Sequence, residues 1–314
     1  MSKEKLKIAV CFFGHLRSYQ KCAPLLRWNL LKYYDCDLFM HTWSTLDHNT
    51  KIGHDLKKMT GITRPEDIAR AYGNISALAI EEQKPKDLGV IKIKIAHDIR
   101  ERQMSIFGIG AMFHSMRESM RLCDEYAAKN KVEYDYVLFI RPDIWLKKPL
   151  RIEKLLQSIS PGQRAQGFFT FANFISQTTA GFKDMGAVDV CFFGTPATMS
   201  DIIKNNELAV KQLKPDMKMD HCPEYILIKL LEERGFTPYR IEGFRMPEDW
   251  DILRISKAIK LRKRIISLRI RGNMFRLWLF PKMMRRIVNM QLDLFGIFKI
   301  DLSIGNPGHE TRDI

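Results

Sequence analysis

The sequence predicts an α/β fold: a mixed, mostly parallel central sheet flanked by helices, with a basic helical appendage at the C-terminal end. Three observations predict it. Short apolar runs alternate with segments of helical period from residue 7 onward. One run, Val137-Leu138-Phe139-Ile140, is apolar on both faces and stops at Arg141-Pro142-Asp143. A strand buried on both faces reads this way, and proline ends it because it cannot donate to a ladder. Finally, the excess positive charge gathers in one late stretch rather than over the whole chain.

The elements follow in order. Lys7–Phe13 is a first buried strand, closed by Gly14-His15-Leu16-Arg17-Ser18. A helix is expected over Gln20–Tyr33, then a second strand over Asp37–Trp43. Residues 44–88 are polar and mixed, and a helix opens there at Pro65. Val90–Ala96 alternates apolar residues with lysine, as a half-exposed strand does. A long helix spans about Gly110 to Lys129, with Met112, Phe113, Met116, Met120 and Cys123 as its apolar stripe. The strand ending at Asp143 comes next. Phe168–Phe174 and Val188–Phe193 are further strands around a loop over Ser176–Gly186. Helices are expected over Pro196–Lys204 and Pro223–Arg234, the second capped by Gly235. Tyr239-Arg240-Ile241 is a last strand.

The 314 residues suffice for one large domain, expected over 1–250, and an appendage over 251–314. The run Ile8–Phe13 is too short for a signal-peptide core and lacks a small-residue cleavage site. No apolar run approaches the roughly 18 residues needed to span a bilayer. The six cysteines contain no CxxC pair and several sit in apolar runs. That argues for a reducing, cytoplasmic setting with neither a disulfide framework nor a structural zinc site.

The net charge is +15. Twelve basic residues fall between Arg254 and Arg286, and no Asp or Glu falls between Arg254 and Met290. Ile255, Ile259, Ile266 and Ile270 recur there at helical spacing, and Met274, Leu277 and Trp278 resume the pattern after Gly272-Asn273. Basic residues interleaved with bulky apolar ones describe an amphipathic helix in a membrane interface. Each Lys or Arg near anionic headgroups contributes about 1 kcal/mol. Segment 254–290 is therefore expected to hold the chain on an anionic membrane surface, as a peripheral protein. A solvated helix packed on the domain is the simpler alternative. Nucleic acid is not an expected partner, because no nucleic-acid motif accompanies the charge.

Three segments carry a resemblance: Val10 through Ser18 (VCFFGHLRS), Asp37 through Trp43 (DLFMHTW) and Tyr134 through Asp143 (YDYVLFIRPD). Asp189-Val190-Cys191-Phe192-Phe193-Gly194 with Met199, and Pro223-Glu224, extend it over about residues 7–245. In their order and spacing they resemble bacterial surface-polysaccharide glycosyltransferases of the lipopolysaccharide, O-antigen or capsule type. The resemblance implies a glycosyltransferase-A-like fold with a Rossmann-like nucleotide-binding half. It implies a nucleotide-diphosphate sugar donor, a divalent cation (Mn²⁺ or Mg²⁺), and a lipid-linked glycan or lipopolysaccharide acceptor at the inner face of the cell membrane. The family's Asp-x-Asp has its last acid at Asp143, while Arg141 stands in place of the first.

Candidate site residues follow. Asp143 is the expected metal contact, since Mg²⁺ or Mn²⁺ prefers carboxylate and phosphate oxygens; a turn-forming aspartate is the alternative. Gly14, Arg17, His41 and Arg141 are expected against the donor. Glycine allows close backbone approach, and a guanidinium can grip phosphate with two bonds. His41 and Trp43 end the second strand, where core packing competes with a crevice role. Glu224 and Asp189 are the candidates for the base that takes the acceptor hydroxyl proton. For Glu224 the simpler reading is an acid stabilising a helix N-terminus. His221 and His309 are weaker candidates for extra metal ligands. A non-catalytic binding module with a degenerate site is the alternative to an enzyme, and the acid missing at Arg141 favours it.

Overall fold

Among the described residues seven strands form the central sheet, six of them parallel and one reversed. The computed structural model describes residues 5–48, 59–95, 98–157, 159–171, 190–219, 224–236, 238–241, 243–246 and 248–253. In chain order the elements begin β1 (Lys7–Phe12), α1 (Tyr19–Asn29), a short 3-10 turn (Leu31–Tyr33) and β2 (Asp35–Trp43). There follow α2 (Pro65–Tyr72), β3 (Ala77–Glu81), β4 (Val90–Ile95), β5 (Asp98–Ser105) and α3 (Ile106–Asn130). Next come β6 (Tyr136–Ile140), β7 (Ile144–Leu146), α4 (Ile152–Leu155), α5 (Pro161–Gln166) and β8 (Phe168–Phe171). The chain continues with β9 (Cys191–Gly194), α6 (Pro196–Lys211), β10 (Lys218–Met219), α7 (Glu224–Glu233), β11 (Pro238–Ile241) and β12 (Trp250–Ile252).

The sheet order is β11-β8-β9-β6-β1-β2-β3. Only β9 runs antiparallel, to both β6 and β8. The mixed, mostly parallel sheet that the sequence predicts is therefore the architecture observed. Its two faces follow the pleat. Ile8, Val10 and Phe12 of β1 join Leu138 and Ile140 of β6 in one core, with residues of α1 and α2. Ala9, Cys11, Val137 and Phe139 point the other way, onto Phe113, Met116 and Met120 of α3. Ile8–Phe12 of β1 and Val137–Ile140 of β6 are all apolar because both faces are covered, which is why the runs read as continuous rather than alternating. Across β6, β9 and β8 the rings of Phe139, Phe192 and Phe168 stack, each 5.2 Å from the next.

Helix ends carry their own signals. Ser105 Oγ accepts from the Gly108 N–H and opens α3 at Ile106, four residues before the start expected at about Gly110. At the end of α7, Gly235 has φ +76°, with Gly235 N–H on Glu232 O and Phe236 N–H on Leu231 O, both 2.9 Å. This is the paired-bond termination that glycine allows.

Among the described residues two small sheets accompany the central one. One orders β10-β4-β5; the other pairs β7 with β12, antiparallel. β7 follows Asp143 directly, so β12 closes over the exit of β6. The Leu253 N–H donates to Asp143 O at 2.9 Å, and the Leu253 carbonyl accepts from Ser18 Oγ. Asn29 Nδ2, buried at the end of α1, donates to Leu146 O at 2.8 Å. Strands β3, β5, β7, β10 and β12 were not expected from sequence. Residues 254–314, including the basic segment, lie outside the described residues. Among the described residues no helix is long and apolar enough to cross a membrane, and the five described cysteines are free thiols.

Candidate functional site

The parallel strands β1, β2, β3 and β6 all end at one edge of the sheet, where ligands bind in open α/β folds. Two side-chain clusters sit there.

The first is a chain of alternating charges. Arg17 donates from Nε to Asp47 Oδ1 (3.0 Å) and from Nη1 to Asp143 Oδ2 (3.3 Å). Arg141 donates from Nε to Asp143 Oδ1 (3.0 Å) and from Nη2 to Asp143 Oδ2 (2.6 Å). Asp143 is fully buried. Desolvation of such a carboxylate costs several kcal/mol, offset here by two guanidinium groups. Arg17 adopts φ +46°, a left-handed conformation that costs about 1–3 kcal/mol for a side-chain-bearing residue. Its N–H on Leu46 O (2.8 Å) and its two carboxylates hold it there. Gly14, with φ +82°, needs glycine for its backbone, and the space before its Cα is open. Burial works against an ionised Asp47, but Arg17 and the His48 N–H outweigh it and hold the carboxyl below its ordinary range.

The second cluster joins β2, β3 and α3. His41, fully buried, has Nδ1 2.7 Å from Ser115 Oγ and Nε2 3.5 Å from Glu81 Oε2. His114 Nε2 lies 2.9 Å from the same Glu81 oxygen. Trp43 stacks on the His114 ring and meets His41 edge-on. Burial pushes His41 down to about 4, more than Glu81 raises it, so the ring is neutral. Glu81 is held below its ordinary range: partial burial opposes this, and the His114 hydrogen bond outweighs it. His15 lies between the clusters, its ring 6.2 Å from Trp43. Burial, aided by Arg17, drives it down to about 3.

Of the residues expected from sequence, Arg17, Arg141 and Asp143 therefore meet in one network. Gly14 and His41 meet at another point, both on Ser115. Trp43 is buried against the two histidines. Glu224 is the first residue of α7, and its side chain is not described; Asp189, His221 and His309 lie outside the described residues. Asp47, Glu81, His114 and Ser115 were not singled out from sequence. Glu81 had one available signal: it closes the four-residue apolar run Ala77-Leu78-Ala79-Ile80.

Asp143 is a poor seat for the implied Mn²⁺ or Mg²⁺ in this arrangement. Both oxygens already face guanidinium nitrogens, and two positive charges within 3.3 Å repel a divalent cation.

No family model and no curated protein matches the chain. Among solved structures it is similar to a crystal structure of a glycosyltransferase involved in the glycosylation of the major capsid of PBCV-1. That similarity has a TM-score of 0.33 and 10% identity, over 76% of this chain and 83% of the other.

Proposed function

We propose that the chain is a glycosyltransferase that takes a sugar from a nucleoside diphosphate donor and passes it to an acceptor hydroxyl. One observation carries this reading: Arg17 and Arg141 share the buried carboxylate of Asp143 at the carboxyl edge of parallel strands, beside the open left-handed turn at Gly14. The strained backbone of Arg17 supports it, since such strain gathers at functional sites. As the bond from sugar to diphosphate breaks, negative charge grows on the leaving oxygens. Guanidinium groups fixed in advance stabilise that charge more than they stabilise the bound donor. In this reading Asp143 aligns the arginines, and no step is routed through a cation on it.

The acceptor is proposed to be a lipid-linked or surface-polysaccharide glycan of the lipopolysaccharide or capsule type. The acid-free basic stretch from Arg254 supports this, because a chain resting on an anionic membrane meets a membrane-borne acceptor. Glu224 and Asp189 remain the proposed choices for the base. A second reading, a donor-binding module without turnover, is favoured by Arg141 standing where the resembled pattern has an acid.

The test is a panel of UDP-, GDP- and dTDP-sugars offered to the full chain with a lipid-linked glycan extract. Released nucleoside diphosphate, lost in Arg17→Ala, is the expected result. Binding by calorimetry without release would support the second reading. Neither binding nor release with any donor would remove both.

A further inference from the structure

We infer that His41, Glu81 and His114 form a site for one divalent transition-metal cation of zinc-like ligand preference, at the ends of β2 and β3 and against α3. The inference is independent of the donor reading and uses no residue of the Arg17–Asp143 network.

One ligand atom from each of His41, Glu81 and His114 lies within 4.8 Å of the other two, and the Nε2 of both histidines faces the same Glu81 oxygen. Tetrahedral zinc with bonds of about 2.0–2.1 Å holds its ligand atoms about 3.3 Å apart. The His41–Glu81 separation of 3.5 Å already matches, and the His114–Glu81 separation of 2.9 Å needs to open by a few tenths of an ångström.

The tautomer of His41 follows from Ser115. Its hydroxyl accepts from the Gly14 N–H (2.7 Å) and donates to His41 O (3.2 Å). With its hydrogen committed, Ser115 Oγ takes the Nδ1–H of His41 on its remaining lone pair. Nε2 then carries a bare lone pair, aimed at the carboxylate of Glu81. Among the described residues this buried nitrogen has no hydrogen-bond partner. A simple His114–Glu81 ion pair accounts for those two side chains but leaves His41 Nε2 facing an anion across 3.5 Å. A shared cation satisfies all three.

The surroundings are those of a metal ligand set. A histidine ligand donates its other ring N–H to a fixed acceptor, here Ser115. Trp43 fixes both imidazole planes. The His114 and Glu81 side chains are 36% and 41% exposed, so a cation reaches the site from solvent and a water completes its shell. Two imidazoles and one carboxylate suit zinc, iron or nickel better than magnesium.

The experiment treats the full chain with chelator and titrates it with Zn²⁺ by competition calorimetry. One cation per chain is expected. Ser115→Ala should weaken binding by about 10–100-fold, and Glu81→Gln and His114→Ala by more. Absence of saturable uptake overturns the site, as does uptake unchanged in both ligand variants, which places the ion elsewhere. Cobalt(II) gives a readout on the unaltered chain: strong visible absorption of a four- or five-coordinate ion is expected, and the weak spectrum of the six-coordinate aquo ion overturns the assignment.

Discussion

The Gly14 N–H donates to Ser115 Oγ at 2.7 Å, so the turn after β1 hangs on a hydroxyl in the middle of α3. The same oxygen lies 2.7 Å from His41 Nδ1. Ser115→Ala strands two donors at once, the buried His41 Nδ1–H and the half-buried Gly14 N–H. Each stranded donor costs about 1–3 kcal/mol. The expected outcome is a urea midpoint shifted down by a loss of about 2–5 kcal/mol, with Ser115→Thr recovering part of it. An unchanged midpoint would show that the hydroxyl is not needed by either partner.

Asp143 is fully buried between two arginines. Asp143→Ala leaves two guanidinium groups without their shared anion. Removing one partner of a buried pair costs about 3–5 kcal/mol. Denaturation of that variant should show a loss of this size. Arg17→Lys is the finer probe: a lysine cannot bridge Asp47 and Asp143 with a planar fork. Calorimetry should show donor affinity reduced at least tenfold, with a stability loss smaller than that of Asp143→Ala because Arg141 still holds the buried carboxylate.

His15 sets a pH dependence. Its folded value of about 3 lies below its ordinary 6.5, so the unfolded chain takes up the proton first. The stability contributed by a neutral His15 is complete above about pH 6.5 and is lost as pH falls from there toward 3, with a limiting slope of about 1.4 kcal/mol per unit. Asp47 acts in a separate window. Its lowered carboxyl contributes above its ordinary range near 3.8 and loses that contribution only at lower pH. Melting curves between pH 5 and 7.5 should therefore be steeper for the unaltered chain than for His15→Gln. Parallel curves would mean that His15 is solvated.

Leu253 supports a paired prediction. A chain ending at Leu253 keeps the bonds to Asp143 O and Ser18 Oγ; a chain ending at Asp251 loses both. The first should retain the melting temperature and donor binding but no longer sediment with phosphatidylserine-containing vesicles. The second should be destabilised as well. Vesicle binding by the first would discard the membrane role of 254–290.

Much of the fold was legible because double-sided burial writes itself into composition. Ile8–Phe12 of β1 and Val137–Ile140 of β6 are uninterrupted apolar runs, and the proline after Arg141 marks the end of the second. β3 was not legible. Ala77-Leu78-Ala79-Ile80 has two alanines, which strands disfavour, inside a polar stretch; parallel pairing with β2 makes it a strand. Glu81 was hidden with it. β5 was missed for its charges, since Asp-Ile-Arg-Glu-Arg has the composition of a solvated face. The acid at the end of β6 could be placed at the sheet edge, but its partner Arg17 lies 126 residues away, a distance only the crossovers close. His114 sits one residue from Phe113 in α3 and carries no mark until β2 and β3 are laid beside it.

The bond from Leu253 to Asp143 has a mechanical side. Leu253 is held on both sides of its own residue, its N–H on Asp143 O and its carbonyl on Ser18 Oγ. One residue thereby ties the segment that leaves β6 to the start of α1, so a displacement of either is felt by the other.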